Sequence, residues 1–545
     1  MCNNHNSKNK KKRFGSALEH GAAHVKDHQR WSRRGFLRAA GLAGAGSFMF
    51  GKFAITAAAA NPLSYLLNAG IGERILVLIR LNGGNDGLNT VVPLYDYSTY
   101  ANNRPTLAIP QNNLFNLNDE IGMPNYMNDL NPFWQEGKMK VVHSVGYPDQ
   151  NLSHFRSSDI WASASDANTV DNSGWLGRFI MDKYPDFVTN PPDIPPAIQI
   201  GSSGDIVFHN SDSLDLSISV TEPAELAQIA QDGELYSLDN LPDCYFGDQL
   251  GFLRAVTNST FKYAEAISLA YDNSTTNADF GAGPLNEQLM LVSRMIKGGL
   301  GTKLYMVSLN GFDTHANQLD EHPVLLQELA SAIKNFYEDL GGGGYDKDVL
   351  CMTFSEFGRR IEQNASDGTD HGAAAPMFLF GEGLNGSGFV GDKPNLQNLD
   401  NIGNLMFDVD FRQIYASVLE NWLCIDPGTV DGVLGDTFDR VDLGLDCIAS
   451  SVNNSALQAA IKHEARYSRD GQVFIYYKIP YGMQVEVEIY DILGQPVKKL
   501  FSGYQLPGEH QVAFQPGMQR LANGYYVYRI LAGGNVYSKP IRFVQ

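Results

Sequence analysis

Short, unbroken apolar runs that end in polar residues recur through the middle of the chain: Ile75–Leu81, Met139–Ser144, LYMVSL at Leu304–Leu309, VLCMTF at Val349–Phe354 and PMFLF at Pro376–Phe380. Runs of about five or six apolar residues without alternation suit strands buried on both faces. Between the third and fourth runs, Val324–Leu340 repeats its apolar residues at helical spacing, which predicts strand, helix, strand in a parallel sheet. Helical spacing also marks Asp248–Tyr271, Leu285–Ile296 and Phe411–Leu423, and shorter helices are expected through Phe133–Trp134 and through Ile160–Trp161. These helices most simply cover the faces of the sheet, which makes the body an α/β unit. From Val473 the pattern changes to short β-runs, VFIYYKI, VEVEIYDI, HQVAF, YYVYRIL and KPIRFV, separated by turn residues such as Pro507-Gly508 and Asn523-Gly524. That tail predicts a small all-β sandwich.

The polar residues cluster at the run ends. Asn82–Thr90 follows the first run, Asn151–Arg156 the second, Asn310–His315 the third and Ser355–Arg360 the fourth, while Thr369–Gly372 precedes PMFLF. In parallel sheets ligands bind beyond the carboxyl ends of the strands, so these clusters are the place to look for chemistry. The glycine-rich turn at Gly83-Gly84 has neither the dinucleotide fingerprint nor the Lys-Ser/Thr of a phosphate loop, which argues against a nucleotide site. Ser153 sits where a helix cap belongs; it either only caps or offers a hydroxyl over free N–H groups at a helix start, as a nucleophile or orienting group. His154 beside it reads as a base, an anion donor or a packed ring. Glu356 reads as a metal ligand, a general base or the partner of Arg359. Arg359 suits two-pronged recognition of phosphate, sulfate or carboxylate, or a salt bridge to Glu356 or Asp370.

Composition bounds the partners and the compartment. A chain of 545 residues that is 43% hydrophobic and 19% charged is expected to fold as two or more globular units. A formal charge of −19 makes nucleic acid and anionic lipid poor partners. The basic pattern Ser32-Arg33-Arg34-Gly35-Phe36-Leu37-Arg38, followed by an Ala/Gly-rich apolar stretch, reads as a twin-arginine export signal over residues 1–60. That stretch is too short and too glycine-diluted for a stable membrane span, so none is expected in the mature protein. Of five cysteines, Cys351 is expected as a buried thiol and Cys424 with Cys447 as the pair to test for a bridge; no CxxC spacing suggests a thiolate zinc site.

The motifs GGNDGLNTVVP, LSHFRSSDIW, GFDTH, SEFGRR and GTDHGAAAP together resemble the secreted family known as domain of unknown function 1501, and more broadly the alkaline phosphatase superfamily with its sulfatases. The resemblance covers residues 71–450 and implies an alkaline-phosphatase-like, mostly parallel sheet covered by helices. It implies a metal site at Asp313, His315 and His371, with Asp86 near the position of a second-site carboxylate. Zinc is favoured, with calcium and manganese left open. Asn82 stands where the superfamily has an Asp and Glu356-Phe357 where it has an Asp-His pair, and neither Asn nor Phe is an adequate replacement. Residues 471–545, through IYDILGQPVKKL, LANGYYVYRI and KPIRFV, resemble the carboxy-terminal sorting domain of the type IX secretion system, after a linker at 451–470. A carbohydrate-binding or adhesion module is the alternative for the tail. The implied partners are the twin-arginine and type IX export machinery and an anionic ester substrate, and the implied location is the cell surface or beyond, reached through the periplasm. Two function classes stand open: a metal-dependent hydrolase of phosphate or sulfate esters using Ser153, His154, Glu356 and Arg359, and a non-catalytic surface or binding protein that keeps the hydrolase fold.

Overall fold

The computed structural model describes residues 48–50, 53–55, 74–185, 187, 191–201, 204–220, 236, 245–447, 461–468, 472–479, 483–490, 496–505, 508–514, 524–532 and 535–543. The twin-arginine pattern and Cys244 lie outside them. A nine-stranded sheet forms the body. Its strands are β1 (Ile75–Asn82), β2 (Met139–Gly146), β3 (Ala197–Ile200), β4 (Ile218–Val220), β5 (Leu304–Asn310), β6 (Val349–Phe354), β9 (Ala375–Phe380) and β10 (Gly388–Val390). The order across the sheet is β10-β2-β9-β6-β1-β5-β3-β4, with the short strand Val409–Asp410 added to β2. The two strands missing from that count, β7 (Gly358–Gln363) and β8 (Thr369–Gly372), form a separate antiparallel hairpin.

The unbroken apolar runs have a direct structural cause. Along β1, Ile75, Val77, Ile79 and Leu81 enter one core with Tyr263, Leu289, Val292, Leu326 and Ile333, while Leu76 and Leu78 enter a second with Ile160, Trp161, Leu176, Phe179 and Tyr415. Alternate residues of a strand point to opposite faces, so a strand between two helical layers must be apolar at every position. The first layer is built from α3 (Tyr245–Asp272), α4 (Pro284–Lys297) and α5 (Gln318–Gly341). The second is built from α1 (His154–Ser163), α2 (Trp175–Lys183) and α6 (Phe411–Ser417). The run expected as one helix to Leu423 passes into a π-turn at Val418–Trp422.

Pairing is parallel from β6 through β1, β5 and β3 to β4, but β9 runs antiparallel to both β6 and β2. This reversal brings the start of β9, and the β7–β8 hairpin just before it, to the edge where β1, β5 and β6 end. Residues that precede an apolar run and residues that follow one therefore meet at one edge. Behind that edge lies a buried polar network. Asp86 is paired with Arg104 at 2.5 Å and accepts from Gln318, while His322 Nε2 meets Asn85 Oδ1 at 2.9 Å.

Seven strands follow in the tail, in a three-stranded sheet and a four-stranded sheet. They are β11 (Lys462–Tyr467), β12 (Val473–Ile479), β13 (Met483–Tyr490), β14 (Pro496–Gln505), β15 (Gly508–Phe514), β16 (Gly524–Ala532) and β17 (Asn535–Phe543). Val473, Ile475, Val485, Val487, Tyr528 and Ile530 of the two sheets share one buried core, which makes the tail a small all-β sandwich. Strand β11 lies inside the stretch expected as linker. KHEARY carries too few apolar residues to announce a strand, yet it pairs residue for residue with β12 from Lys462↔Lys478 to Tyr467↔Val473. Among the described residues no helix is long and apolar enough to cross a membrane.

Cys424 and Cys447 form a disulfide with their Cα atoms 5.2 Å apart, and Cys351 is a free, buried thiol. The bridge closes around Arg74, whose guanidinium donates to the carbonyls of Asn421, Trp422 and Asp446 at 3.0, 3.1 and 2.7 Å. Replacing both Cys424 and Cys447 by Ser is expected to lower stability by about 3 kcal/mol, as loop closure of this size implies. Chemical denaturation of the double variant against the parent measures it, and non-reducing peptide mapping should recover the cross-linked pair. Burial holds His322 down to about pH 4 against an ordinary 6.5, with Asp86 opposing and Arg104 assisting. The unfolded chain takes up that proton first, so the stability from neutral His322 is present above about pH 6.5 and lost as pH falls toward about 4. Between pH 7 and pH 5 the loss should be roughly 2 kcal/mol. His322→Gln should flatten that part of the melting temperature–pH profile, leaving the share of His143, which burial also holds down to about 4.

Candidate metal centre

The loops at the carboxyl edge are tied together before any functional group is placed. Register pairs Asn310 with Asn82 at the ends of β5 and β1, and Phe312 N–H then donates to the Asn82 carbonyl at 3.0 Å. Ser355 Oγ donates to the Leu81 carbonyl at 2.7 Å and accepts from Asn85 N–H at 3.1 Å, which joins the loop after β6 to the loop after β1. Gly83 holds φ +125°, and a Cβ there would lie 2.2 Å from the backbone nitrogen of Asp313. Only glycine allows these two loops to come so close.

Asp313 is the centre of the cluster. Its Oδ1 lies 3.4 Å from His154 Nε2, 3.5 Å from His371 Nε2, 2.8 Å from His315 Nδ1 and 2.8 Å from an Arg359 guanidinium nitrogen. Partial burial raises the Asp313 pKa, but the Arg359 hydrogen bond and charge, with His315 and His154, outweigh it and hold the carboxyl below its ordinary value. His371 Nδ1 lies 2.8 Å from the Leu152 carbonyl. A carbonyl can only accept, so Nδ1 carries the proton and Nε2 presents its lone pair. That Nε2 is buried and has no hydrogen-bond partner among the described residues. Burial lowers the His371 pKa, the Leu152 bond opposes, and the charges of Arg359, His154 and His315 add to the lowering.

The donors that converge are His154, Asp313 and His371, whose ligand atoms all lie within 4.8 Å of one another. Two ligands each about 2.0–2.1 Å from a tetrahedral zinc ion stand roughly 3.4 Å apart. The distances of 3.4 and 3.5 Å from Asp313 to the two imidazoles match that edge. An acceptor nitrogen left unpaired in a buried position, beside a carboxylate and a second imidazole, is what a divalent cation would satisfy.

Several expectations are revised. His154, expected among catalytic groups, stands in the converging set, whereas His315 sits at the half-exposed rim, its Nδ1 2.8 Å from Asp313 Oδ1 and 3.5 Å from the Arg359 guanidinium. Asp86 is not placed with the others. It is fully buried, paired with Arg104, bonded to Gln318, and caps the helical turn Gly87–Thr90 through Asn89 N–H. Burial raises its pKa, but Arg104, His322 and Gln318 bring the net value below the ordinary one. Arg359 is 1% exposed and donates to the carbonyls of Gly84, Thr369, Phe312 and Gly83, with 2.7, 2.7 and 3.0 Å for the first three. It is committed to backbone and to Asp313, which leaves no fork for an anion. Glu356 meets His154 Nδ1 at 2.9 Å and accepts from Gly83 N–H at 2.8 Å, and its partner is not Arg359. Ser153 occupies the cap position of α1 and is exposed, but its side chain makes no capping bond. Asn82 donates from its side chain to Asn310 Oδ1 at 2.7 Å. Phe357 is buried, with ring centroids 4.8 Å from His154 and 4.3 Å from His371, so it walls the site. Asp370 accepts from Asn364 in the hairpin turn at 3.1 Å.

The sequence patterns did not single out Leu152, Arg104, Gln318 or His322. Leu152 acts through its backbone carbonyl, and the other three act through partners distant in the chain, so no local spacing marks them.

Solved structures to which the chain is similar include a protein in the alkaline phosphatase superfamily from Vibrio parahaemolyticus, 9% identical over 82% of this chain and 85% of that one, at TM-score 0.30. The PsFucS1 sulfatase from Pseudoalteromonas sp. is 10% identical over 84% and 88%, at TM-score 0.31. The lipoteichoic acid synthase LtaP from Listeria monocytogenes is 10% identical over 75% and 83%, at TM-score 0.30. At these values the fold rests on the strand order of the chain itself. No curated protein matches the chain significantly. The model of the family described as "Protein of unknown function (DUF1501)" matches residues 143–420, more than half of the 545 residues and all but the first of the edge loops, and the chain belongs to that family.

Proposed function

We propose that His154, Asp313 and His371 hold one divalent metal ion, zinc by their donor types, and that the centre serves hydrolysis of an anionic ester of the phosphate or sulfate kind. The observation that carries the reading is the buried, unpartnered Nε2 of His371, 3.5 Å from Asp313 Oδ1 and on the same side as His154 Nε2. Two imidazoles and one carboxylate match a catalytic zinc set, which keeps a position open. A metal in that position supplies Lewis-acid stabilisation of charge developing on an ester oxygen. The protein groups do the rest: Asp313 and the two Nε2 atoms orient the centre, Phe357 excludes water from one side, and exposed Ser153, one residue before His154, is the hydroxyl at hand for attack or orientation. The motif resemblance to the alkaline phosphatase superfamily supports the ester class.

A second reading has its own support. Phe357 takes the place of a second set of ligands, and Arg359 is consumed by carbonyls, so the groups that usually answer an anionic oxygen are reduced. On this reading the centre binds or stabilises without turnover. Purified full chain, stripped and reloaded, should bind one zinc per molecule by elemental analysis. His371→Ala should weaken zinc binding roughly 100-fold or more while leaving the melting curve of the metal-free protein nearly unchanged. Zinc affinity unaltered by His371→Ala removes the metal reading. Full stoichiometry without turnover of aryl phosphates or aryl sulfates selects the binding reading over the hydrolase.

Export is proposed on separate grounds: the twin-arginine pattern at Arg33-Arg34, the sorting-like sequence of the tail, and a disulfide compatible with an oxidising compartment. Replacing Arg33 and Arg34 by Lys should hold precursor in the cytoplasm, and deleting residues 473–545 should hold product in the periplasm. Surface delivery that survives the deletion counts against the sorting role and leaves the adhesion or carbohydrate-binding alternative for the tail.

A further inference from the structure

Glu356 is 4% exposed, and His154 is its sole ionic partner among the described ion pairs, while the neighbouring Arg359 pairs with Asp313. Burying a carboxylate beside an imidazole costs solvation, and the arrangement around it explains what the cost secures. One oxygen, Oε1, lies 2.8 Å from Gly83 N–H and 2.9 Å from His154 Nδ1. The backbone of Glu356 is fixed from the other side, because Ser157 Oγ, three residues after His154 on α1, donates to the Glu356 carbonyl and also contacts Tyr147 Oη at 2.8 Å. The His154 ring is held between Phe357 and His371, with centroids 4.8 and 4.5 Å away.

We infer that Glu356 is a positioning residue: its carboxylate fixes His154 in the tautomer protonated on Nδ1 and so turns the lone pair of Nε2 toward Asp313 and His371. A carboxylate accepts only, and Oε1 already takes the Gly83 N–H, so the proton between Oε1 and Nδ1 belongs to the ring. His371 is set the same way by a different group, the Leu152 carbonyl on Nδ1. Two imidazoles from different elements thus present Nε2 to one carboxylate, each through an acceptor on Nδ1. The two acceptors differ in charge. A carbonyl only orients, whereas a carboxylate behind an imidazole also raises its strength as a ligand. Glu356 is therefore the residue that makes His154 the stronger of the two donors.

The consequence for metal affinity rests on the zinc reading above; the tautomer does not, and the two are measured separately. In metal-free full chain with labelled histidine, nitrogen-15 NMR should show His154, assigned from the His154→Gln spectrum, protonated on Nδ1. Glu356→Gln keeps an oxygen for both N–H groups and should keep that tautomer. Glu356→Ala should shift it toward Nε2–H. An Nε2–H ring in the parent, or an Nδ1–H ring that persists in Glu356→Ala, overturns the inference whether or not zinc binds. In zinc titrations Glu356→Gln should raise Kd about 10- to 100-fold with an unchanged melting curve. Should Glu356→Ala fail to fold, the parent tautomer decides the positioning role, and a Glu356→Gln zinc affinity within twofold of the parent overturns the strengthening of His154 by the Glu356 charge. A parent that binds no zinc removes the metal reading alone, and the parent tautomer then decides for or against Glu356.

Discussion

The arrangement at the carboxyl edge of the sheet depends on one buried guanidinium. Arg359 gathers the carbonyls of Gly83 and Gly84 after β1, of Phe312 after β5 and of Thr369 on β8, and pairs with Asp313. A planar fork with five donors can serve carbonyls from several segments at once, which the point charge of lysine cannot. Its removal would leave the Gly83 and Gly84 carbonyls without that partner, at about 1–3 kcal/mol each, while the Phe312 carbonyl would keep the Thr314 N–H. Asp313, the residue on which the imidazoles converge, is also the group that balances the Arg359 charge. Loop closure and the placement of the chemistry are therefore one problem in this protein, solved by one ion pair.

That solution shapes the electrostatics of the cluster. Asp313 Oδ1 faces His154, His315, His371 and Arg359 together. Arg359 donates to it at 2.8 Å. His371 cannot, because its Nδ1 proton is spent on the Leu152 carbonyl and its Nε2 is bare. A bare nitrogen 3.5 Å from a carboxylate oxygen is unfavourable unless something positive sits between or beside them. Burial lowers the His371 pKa and so favours the neutral ring.

Much of this was legible in the sequence, for physical reasons that can be named. Strands β1, β5 and β6 announce themselves because being sandwiched between two helical layers forbids alternation, and Val324–Leu340 because one face of α5 meets the core. Asp313, His315, His371, Glu356 and Arg359 were found as a group because each directly follows or precedes an apolar run. What was hidden is tertiary. Nothing in PMFLF says that β9 reverses direction, yet that reversal carries His371 to the right edge. Nothing local separates His315 from His154 as the third donor, since the choice depends on where α1 and the loop after β5 place each ring. Strand β11 was missed because KHEARY lacks an apolar face, and PVKKLFSGYQ of β14 because its lysines and glycine obscure the alternation.

The residues that line the edge also form a consistent set once the packing is known. With Asn82 bonded to Asn310 and Asp86 sealed behind the edge by Arg104 and Gln318, no carboxylate after β1 reaches the cluster. Position 357 closes one side of the cluster. Phenylalanine there packs against both imidazoles and against the close approach of Gly84, where a Cβ would lie 2.4 Å from its ring. Phe357 thus forms one wall of the histidine cluster. The acidic residue beside it, Glu356, faces inward to His154 and not outward to solvent, so the loop after β6 ties the start of α1 to the edge of the sheet.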